Sequence, residues 1–389
     1  MTGRDLHDLK GFVLGTLLPR WKERGIDGDG AFYERLDAGL EPIDLGYRRL
    51  LAQCRQIFTF AEGALLGGGD ELGDAAARAF GLLRERYHAG EGRGWRFAVG
   101  EHPSVPAATR DLYAHAFVLL ACASMHRLVG GPEPLATARE TLDFLRMHFA
   151  APAGGGFAEA LDDELRPLPR VRRQNPHMHL LEGCLMMYDA SGDAAYADLA
   201  DELVQLFATR FFHEPSGTLG EFFDDELRPH AKTGTIVEPG HHFEWIWLLD
   251  RRAALDYRGA HSLAADELWA RAERLLHWAV ERGHDADAGG YFDEADRDGT
   301  PLKDSKRIWP ITEALKAFAA ARRRLGDAWA AHQSATLGLL FERYLRGDTG
   351  GWNEVLRRDL SPEVDYLPAT TLYHVMMGLR ESLAIEAAS

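Results

Sequence analysis

GGGFAE, residues 154–159, is one of six copies of a short pattern: an aromatic or apolar residue, a spacer, then Glu or Asp, usually with glycine before it and proline eight residues after. The others are GDGAFYE ending at Glu34, GRGWRF at Phe97, GTLGE at Glu221, GGYFD at Asp293 and GGWNE at Glu354. Successive steps are 63, 62, 62, 72 and 61 residues, and the later proline is Pro42, Pro167, Pro229, Pro301 or Pro362 in five copies. Spacing this regular marks an architectural repeat. Each copy reads as a Gly-rich hairpin or turn, since glycine supplies positive φ and proline cannot donate to a ladder.

Helices fill the space between copies. DLYAHAFVLLACASMHRL (111–128) and ITEALKAFAAARRRLG (311–326) are too long and too rich in Ala and Leu for strands. LATARETLDFLRMHFA (135–150) and MHLLEGCLMMYDAS (178–191) flank the third turn, so each unit holds two helices. Twelve helices in six units predict an all-α (α/α)6 barrel: an inner apolar ring, an outer amphipathic ring, and short Gly-rich hairpins or turns between helices. An open solenoid would need polar capping repeats at its ends, and none is visible. Because the repeat covers nearly the whole chain, residues 1–389 are expected to form a single catalytic domain.

Composition bounds the function. The chain of 389 residues is 46% hydrophobic and 27% charged, with a net charge of −16. That charge argues against nucleic-acid and anionic-membrane partners, which need clustered Lys and Arg. The Arg groups at 48–49, 172–173, 251–252 and 322–324 are read as solvated helix faces. The three cysteines, Cys54, Cys122 and Cys184, lie in apolar helical stretches and form no disulfide framework. GFVLGTLLP (11–19) is too short to span a bilayer and lacks the flanks of a signal peptide, so a cytoplasmic protein is expected, either monomeric or homo-oligomeric.

Twenty residues beyond each acidic mark stand Cys54, Phe117, His179, His241, Glu313 and His374. These should share one level of the barrel interior. Four residues earlier, on the same helical face, come Leu50, Tyr113, Asn175, Val237, Trp309 and Thr370, and three later Ile57, Leu120, Glu182, Glu244, Lys316 and Met377. Three histidines at one level are costly in an apolar core unless paired, so a cavity for a polar ligand with apolar faces, such as a sugar, is expected. Taken singly, His115, His126, His148 and His177 read as hydrogen-bonded core residues, whereas His179, His241 and His374 converge as a site. Glu182 and Glu244 stand one turn after a histidine, where each could orient it or pair with an Arg. Three histidines with Glu244 would suit zinc by ligand type, but HExxH and CxxC are missing and no metal or other cofactor is expected. Phosphate-cradling glycine motifs and GxSxG are also absent.

RQNPHMHLLEG (173–183), EPGHHFEW (238–245), KRIWPITEALKAF (306–318) and the final YH (373–374) resemble the N-acylglucosamine 2-epimerase superfamily, and within it the D-mannose and sulfoquinovose-type aldose–ketose isomerases. The resemblance implies an (α/α)6 barrel that interconverts sugars at C1 and C2 without metal or redox cofactor. It further implies that His241 and His374 are the acid–base pair, that His179 assists ring opening and that Glu244 works beside it. Arg55 would bind sugar oxygens and stabilise an enediolate, with Tyr113, Asn175 and Trp309 at sugar-binding positions and Glu182 and Glu313 counted among the substrate-binding groups. Ile311 stands where many relatives carry Gln, and Asp111-Leu-Tyr-Ala-His is a form associated with mannose isomerases. A small neutral monosaccharide is therefore expected: D-mannose to D-fructose, or D-lyxose to D-xylulose, by proton transfer through a cis-enediolate. Imidazole suits that task, because its ordinary pKa of about 6.5 lets it take and return a proton near neutrality. The alternatives are a sugar 2-epimerase of the N-acylglucosamine or cellobiose type, and a two-carboxylate glycoside hydrolase drawing on Glu182, Glu244 and Glu313.

Overall fold

The computed structural model of the protein describes residues 5–387, except 101, 103, 104, 152 and 348. Six inner helices are found among them, numbered first to sixth: Leu50–Gly63, Leu112–Val129, Gln174–Ser191, Pro239–Ala254, Trp309–Leu325 and Ala369–Ala387. The outer helical runs are 6–24, 70–86, 133–149, 194–211, 265–281 and 330–344. Inner helices are buried on nearly every side, as a helix enclosed by others must be. Leu112–Val129 is long and apolar enough to cross a membrane, yet it is mostly buried in the ring. The outer helix Ala265–Glu281 instead buries a stripe, Leu268, Trp269, Ala272, Leu275, Leu276 and Ala279, at the three-to-four spacing of an amphipathic face, and Trp278 beside it packs separately with Val237 and Ala295.

Each inner helix packs on the next, and the sixth returns to the first. This is the barrel expected from six helix pairs. The turns depart from the expected simple hairpins. Most of their short strands pair across units: Tyr47–Arg49 with Ala98–Gly100, Arg110–Asp111 with Ala160–Leu161, Arg172–Arg173 with Phe222–Phe223, Ile236–Val237 with Glu294–Asp296, and Lys306–Arg307 with Val355–Leu356. Arg35–Asp37 pairs with Tyr366–Pro368 and closes the ring between the first and last units.

The repeated residues have distinct jobs in this belt. The acidic marks Glu34, Glu159 and Asp293 accept hydrogen bonds from the backbone N–H and the guanidinium Nε of Arg49, Arg173 and Arg307, fixing the approach to the first, third and fifth inner helices. Six residues past the mark the chain turns through positive φ, at Leu40, Leu165, Leu227 and Leu360 and at Gly299. For a leucine that conformation costs about 1–2 kcal/mol. In three of these units an Asp side chain, at 37, 162 or 224, offsets this by accepting the N–H four residues on, and Asp296 makes the same bond in the glycine turn.

Of the Arg groups expected to be solvated faces, Arg323 and Arg324 are exposed, but two others are buried. Arg172 is buried and donates to the carbonyls of Ala153, Gly155, Phe157 and Asp225, while Arg252 is buried against Asp201. Each guanidinium has five donors to satisfy in a region where carbonyls of irregular backbone lie close together. The three cysteines are free and buried. The main hydrophobic cluster runs from Leu6 to Ile385, through both rings.

Candidate functional site

The N-terminal ends of the inner helices and the strands that precede them surround a cavity of about 260 Å³. Its wall includes Arg55, Tyr113, Asn175, His179, His241, Glu244, Trp309 and His374, eight of the ten residues singled out from the sequence. Glu238, Arg307, Glu354, Thr370 and Thr371 complete it. Glu182 and Glu313 are corrected to a different place: neither lines the cavity. They stand behind histidines, because a residue one helical turn below a pocket residue meets that residue before it meets the ligand.

Trp309 packs against the rings of both His241 and His374, with centroid separations of 5.1 and 5.5 Å. The two imidazoles have different supports. His241 Nδ1 lies 3.0 Å from Glu221 Oε2 and 3.9 Å from Glu238 Oε2. Burial works to lower its pKa, but Glu221 and Glu238 outweigh burial and raise it to about 9, so this ring is an imidazolium at neutral pH. Its Nε2 is 3.0 Å from Asn175 Nδ2, and because a charged ring donates there, the amide is read as turned over so that Oδ1, which has no partner among the described residues, accepts. His374 Nδ1 lies 2.7 Å from Glu313 Oε1. Burial first, then the positive charge of Arg55 and the nearby His179 and Lys316, hold its pKa well below 6.5, so this ring is neutral. A charged acid and a neutral base thus pack against one indole.

His179 is packed between the rings of Tyr113 and Phe117 at 4.9 and 4.8 Å. Its Nδ1 is 2.9 Å from Glu182 Oε2 and 3.6 Å from Glu244 Oε1, and burial lowers its pKa to about 4 despite the Glu182 carboxylate. Tyr373 OH donates to Glu182, which fixes that carboxylate from its other side. Both oxygens of Glu244 are buried and without a hydrogen-bond partner among the described residues. Burial, with the neighbouring Glu313 charge, raises its pKa well above the usual range. It therefore carries a proton and can donate it to an oxygen in the cavity. Arg55 Nη2 donates to Tyr113 OH at 2.6 Å and Nη1 to the Thr370 carbonyl at 3.3 Å, while the guanidinium lies against Phe117 at 4.3 Å and Tyr373 at 4.7 Å.

Glu244, Glu313 and His374, like His179, Glu182 and Glu244, bring ligand-type atoms within 4.8 Å of one another. In the first group Glu313 already carries the Lys316 ammonium at 2.6 Å. A two-carboxylate hydrolase arrangement loses its members in the same way, since Glu182 and Glu313 are both engaged in holding histidines.

Residues 30–378 match the N-acylglucosamine 2-epimerase (GlcNAc 2-epimerase) family. The chain belongs to that family. It is 32% identical over 395 residues to the mannose-6-phosphate isomerase of Rhizobium meliloti (strain 1021), covering 97% of this chain and 98% of that protein. It is 30% identical over 314 residues to the D-mannose isomerase of Thermobifida fusca, covering 76% and 73%. A crystal structure of D-mannose isomerase superposes with a TM-score of 0.86 at 21% identity, over 97% of both chains, and shares the fold. The family resemblance read from NPHMHLLE and its companion motifs is thus borne out.

The wall residues missed by the sequence reading come mainly from outside the helices. Glu238 and Arg307 precede the fourth and fifth inner helices and form an ion pair at 2.9 Å across the cavity rim. Glu354 is itself an acidic mark, and burial raises its pKa to about 7. The detectable signal was the mark: Glu221, equivalent to it in the fourth unit, turns from the belt to His241.

Proposed function

We propose that the protein is an aldose–ketose isomerase that converts D-mannose to D-fructose, and D-lyxose to D-xylulose, through a cis-enediolate. One observation carries this reading: a neutral His374 and a charged His241 pack against Trp309 in one cavity. His374 Nε2 takes the proton from C2 of the open-chain aldose, exchanges it with solvent, and delivers a proton to C1. The His241 imidazolium gives its proton to O1 and takes one back from O2, so that atoms and charge balance over the cycle. Glu244 and His179 serve ring opening, with the Glu244 acid donating toward a sugar oxygen. Arg55 stabilises the enediolate, where a fixed positive charge in a dry site has most effect.

Charge and size favour a neutral monosaccharide over a sugar phosphate or a disaccharide. Both guanidiniums on the wall are engaged, Arg55 with Tyr113 and a carbonyl and Arg307 with Asp293 and Glu238, and three carboxyl groups face them. A phosphate would meet no uncommitted cation there. A volume of about 260 Å³ lies below the ~300–1,000 Å³ of pockets for drug-sized ligands. The family description supports a second reading, 2-epimerisation, which needs acid–base groups on both faces of the enediolate, and the two histidines of this cavity offer that. Proton NMR of D-mannose incubated with the protein in D2O separates the two. Fructose carrying deuterium at C1 is expected. Glucose formed ahead of fructose would make the enzyme an epimerase, and turnover of mannose 6-phosphate with none of mannose would overturn the neutral substrate.

A further inference from the structure

Beneath the cavity, wholly buried on the fifth inner helix, Lys316 occupies a position that the proposed chemistry does not use. Its ammonium lies 2.6 Å from Glu313 Oε2, an ionic contact rather than an aligned hydrogen bond, and 3.8 Å from the centre of the Trp247 ring. That indole is itself held by its Nε1, which donates to Glu381 at 3.1 Å. Both contacts fix the ammonium in place. A buried lysine is costly unless it is paired, and this one is kept charged against the effect of burial by Glu313 first, with Glu182 adding to it.

Glu313 is divided between two partners. Oε1 faces His374 Nδ1 at 2.7 Å and Oε2 faces Lys316. We infer that Lys316 is a positioning residue for the reaction: its ammonium keeps Glu313 in the carboxylate form that accepts the Nδ1 proton of His374, leaving Nε2 free to take a proton from the sugar. The inference rests on the proposed role of His374 as the base.

Its logic is local. Burial pushes the Glu313 pKa up and Lys316 is the first group that opposes it. Without the ammonium, Glu313 becomes a carboxylic acid, and its nearest acceptor is His374 Nδ1. The acid would then donate where the carboxylate accepted. His374 would be forced into the Nε2–H tautomer, which cannot act as a base. The remaining charged or titratable groups facing His374, namely Arg55 on the first inner helix, His179 and Glu182 on the third, Glu244 on the fourth and Tyr373 on the sixth, make no hydrogen bond to its Nδ1 among the described residues and do not choose between tautomers.

The test is the tautomer itself, read by long-range 1H–15N correlation of 15N-histidine protein at pH 7.5, with His374 assigned from the signals lost in His374→Asn. The wild-type protein should show the Nδ1–H tautomer. Lys316→Met, which keeps the volume of the side chain, should show Nε2–H and lower kcat for D-mannose by about 100-fold or more, the scale of lost general-base catalysis, with KM changed less than threefold. The Nε2–H form in the wild type, or an unchanged Nδ1–H form in folded Lys316→Met, overturns the inference. The wild-type spectrum decides even where the variant does not fold. Neither spectrum requires turnover, so a protein inactive on mannose but with the expected tautomers would fail the substrate proposal and not this one.

Discussion

His177 and His179 stand two residues apart on one helix and belong to different worlds. His177 Nδ1 lies 2.9 Å from the Arg173 carbonyl, four residues back, and its Nε2 accepts the Phe157 N–H at 3.0 Å. His115 and His242 repeat this, each donating to the carbonyl four residues earlier and accepting the N–H of Trp95 or Leu219 in the adjoining turn. Those three N–H groups all sit two residues before their marks, so these histidines tie the turns to the inner helices. His179, His241 and His374 instead each place Nδ1 on a carboxylate. Two backbone partners consume both ring nitrogens and lock one neutral tautomer. A carboxylate on Nδ1 orients the ring, leaves Nε2 for chemistry, and lets the surrounding charges decide whether the ring is protonated.

The largest effect should come from exchanging the two classes. His374→Asn should lower kcat on the sugar by about 10²–10⁴-fold, the range for a lost acid–base group, with the melting temperature close to that of the wild type. His177→Ala should do the converse. It leaves a buried N–H and a carbonyl unpaired at about 1–3 kcal/mol, read as a lower denaturation midpoint, while kcat stays within a few-fold. Comparable losses of kcat in both variants would erase the distinction.

The same pair differs in response to pH. Burial above all lowers the His177 pKa to about 3 in the folded protein, against about 6.5 unfolded. Between these values the unfolded chain binds the extra proton, so stability falls as the pH drops below 6.5, by up to about 1.4 kcal/mol per pH unit for one such group. His177→Ala should remove this part of the acid sensitivity, as measured by denaturant titration at pH 7 and pH 5. A smaller change sharpens the acid assignment. If the imidazolium of His241 is required, kcat/KM is lost as pH rises through about 9. Glu221→Gln removes the main favourable charge and should move that limb down by at least one unit; a limb that stays at 9 would mean that another group titrates there.

The barrel was legible because its signal is repeated six times: even one weak turn pattern becomes decisive when it recurs every sixty or so residues. The site was legible as far as helical register reaches. Counting twenty from the mark found His179, His241 and His374 on one level, but also Cys54 and Phe117, which are core residues there. Arg55 lies one position off that count and was placed by resemblance. Glu238 and Arg307 escaped because they precede the helices, where strand pairing between units, not a 3.6-residue period, aims the side chain. The roles of Glu182 and Glu313 were misjudged because register gives the level of a side chain along the barrel and not the partner it meets there.

The belt of strands has a seam. Five of its cross-unit pairs join segments about fifty to sixty positions apart, whereas Arg35 pairs with Pro368. Closing so long a loop adds little to its thermodynamic cost, since each doubling of length contributes only about 0.6 kcal/mol. The consequence is one of timing. On the ribosome, units two to five can join their neighbours as they emerge, but the strand at 35–37 waits with an open edge until almost the whole chain has been made. During synthesis this short segment is the part of the protein most exposed to a wrong partner, and its three-residue length, with charged residues at both ends, is itself a protection against edge-to-edge pairing.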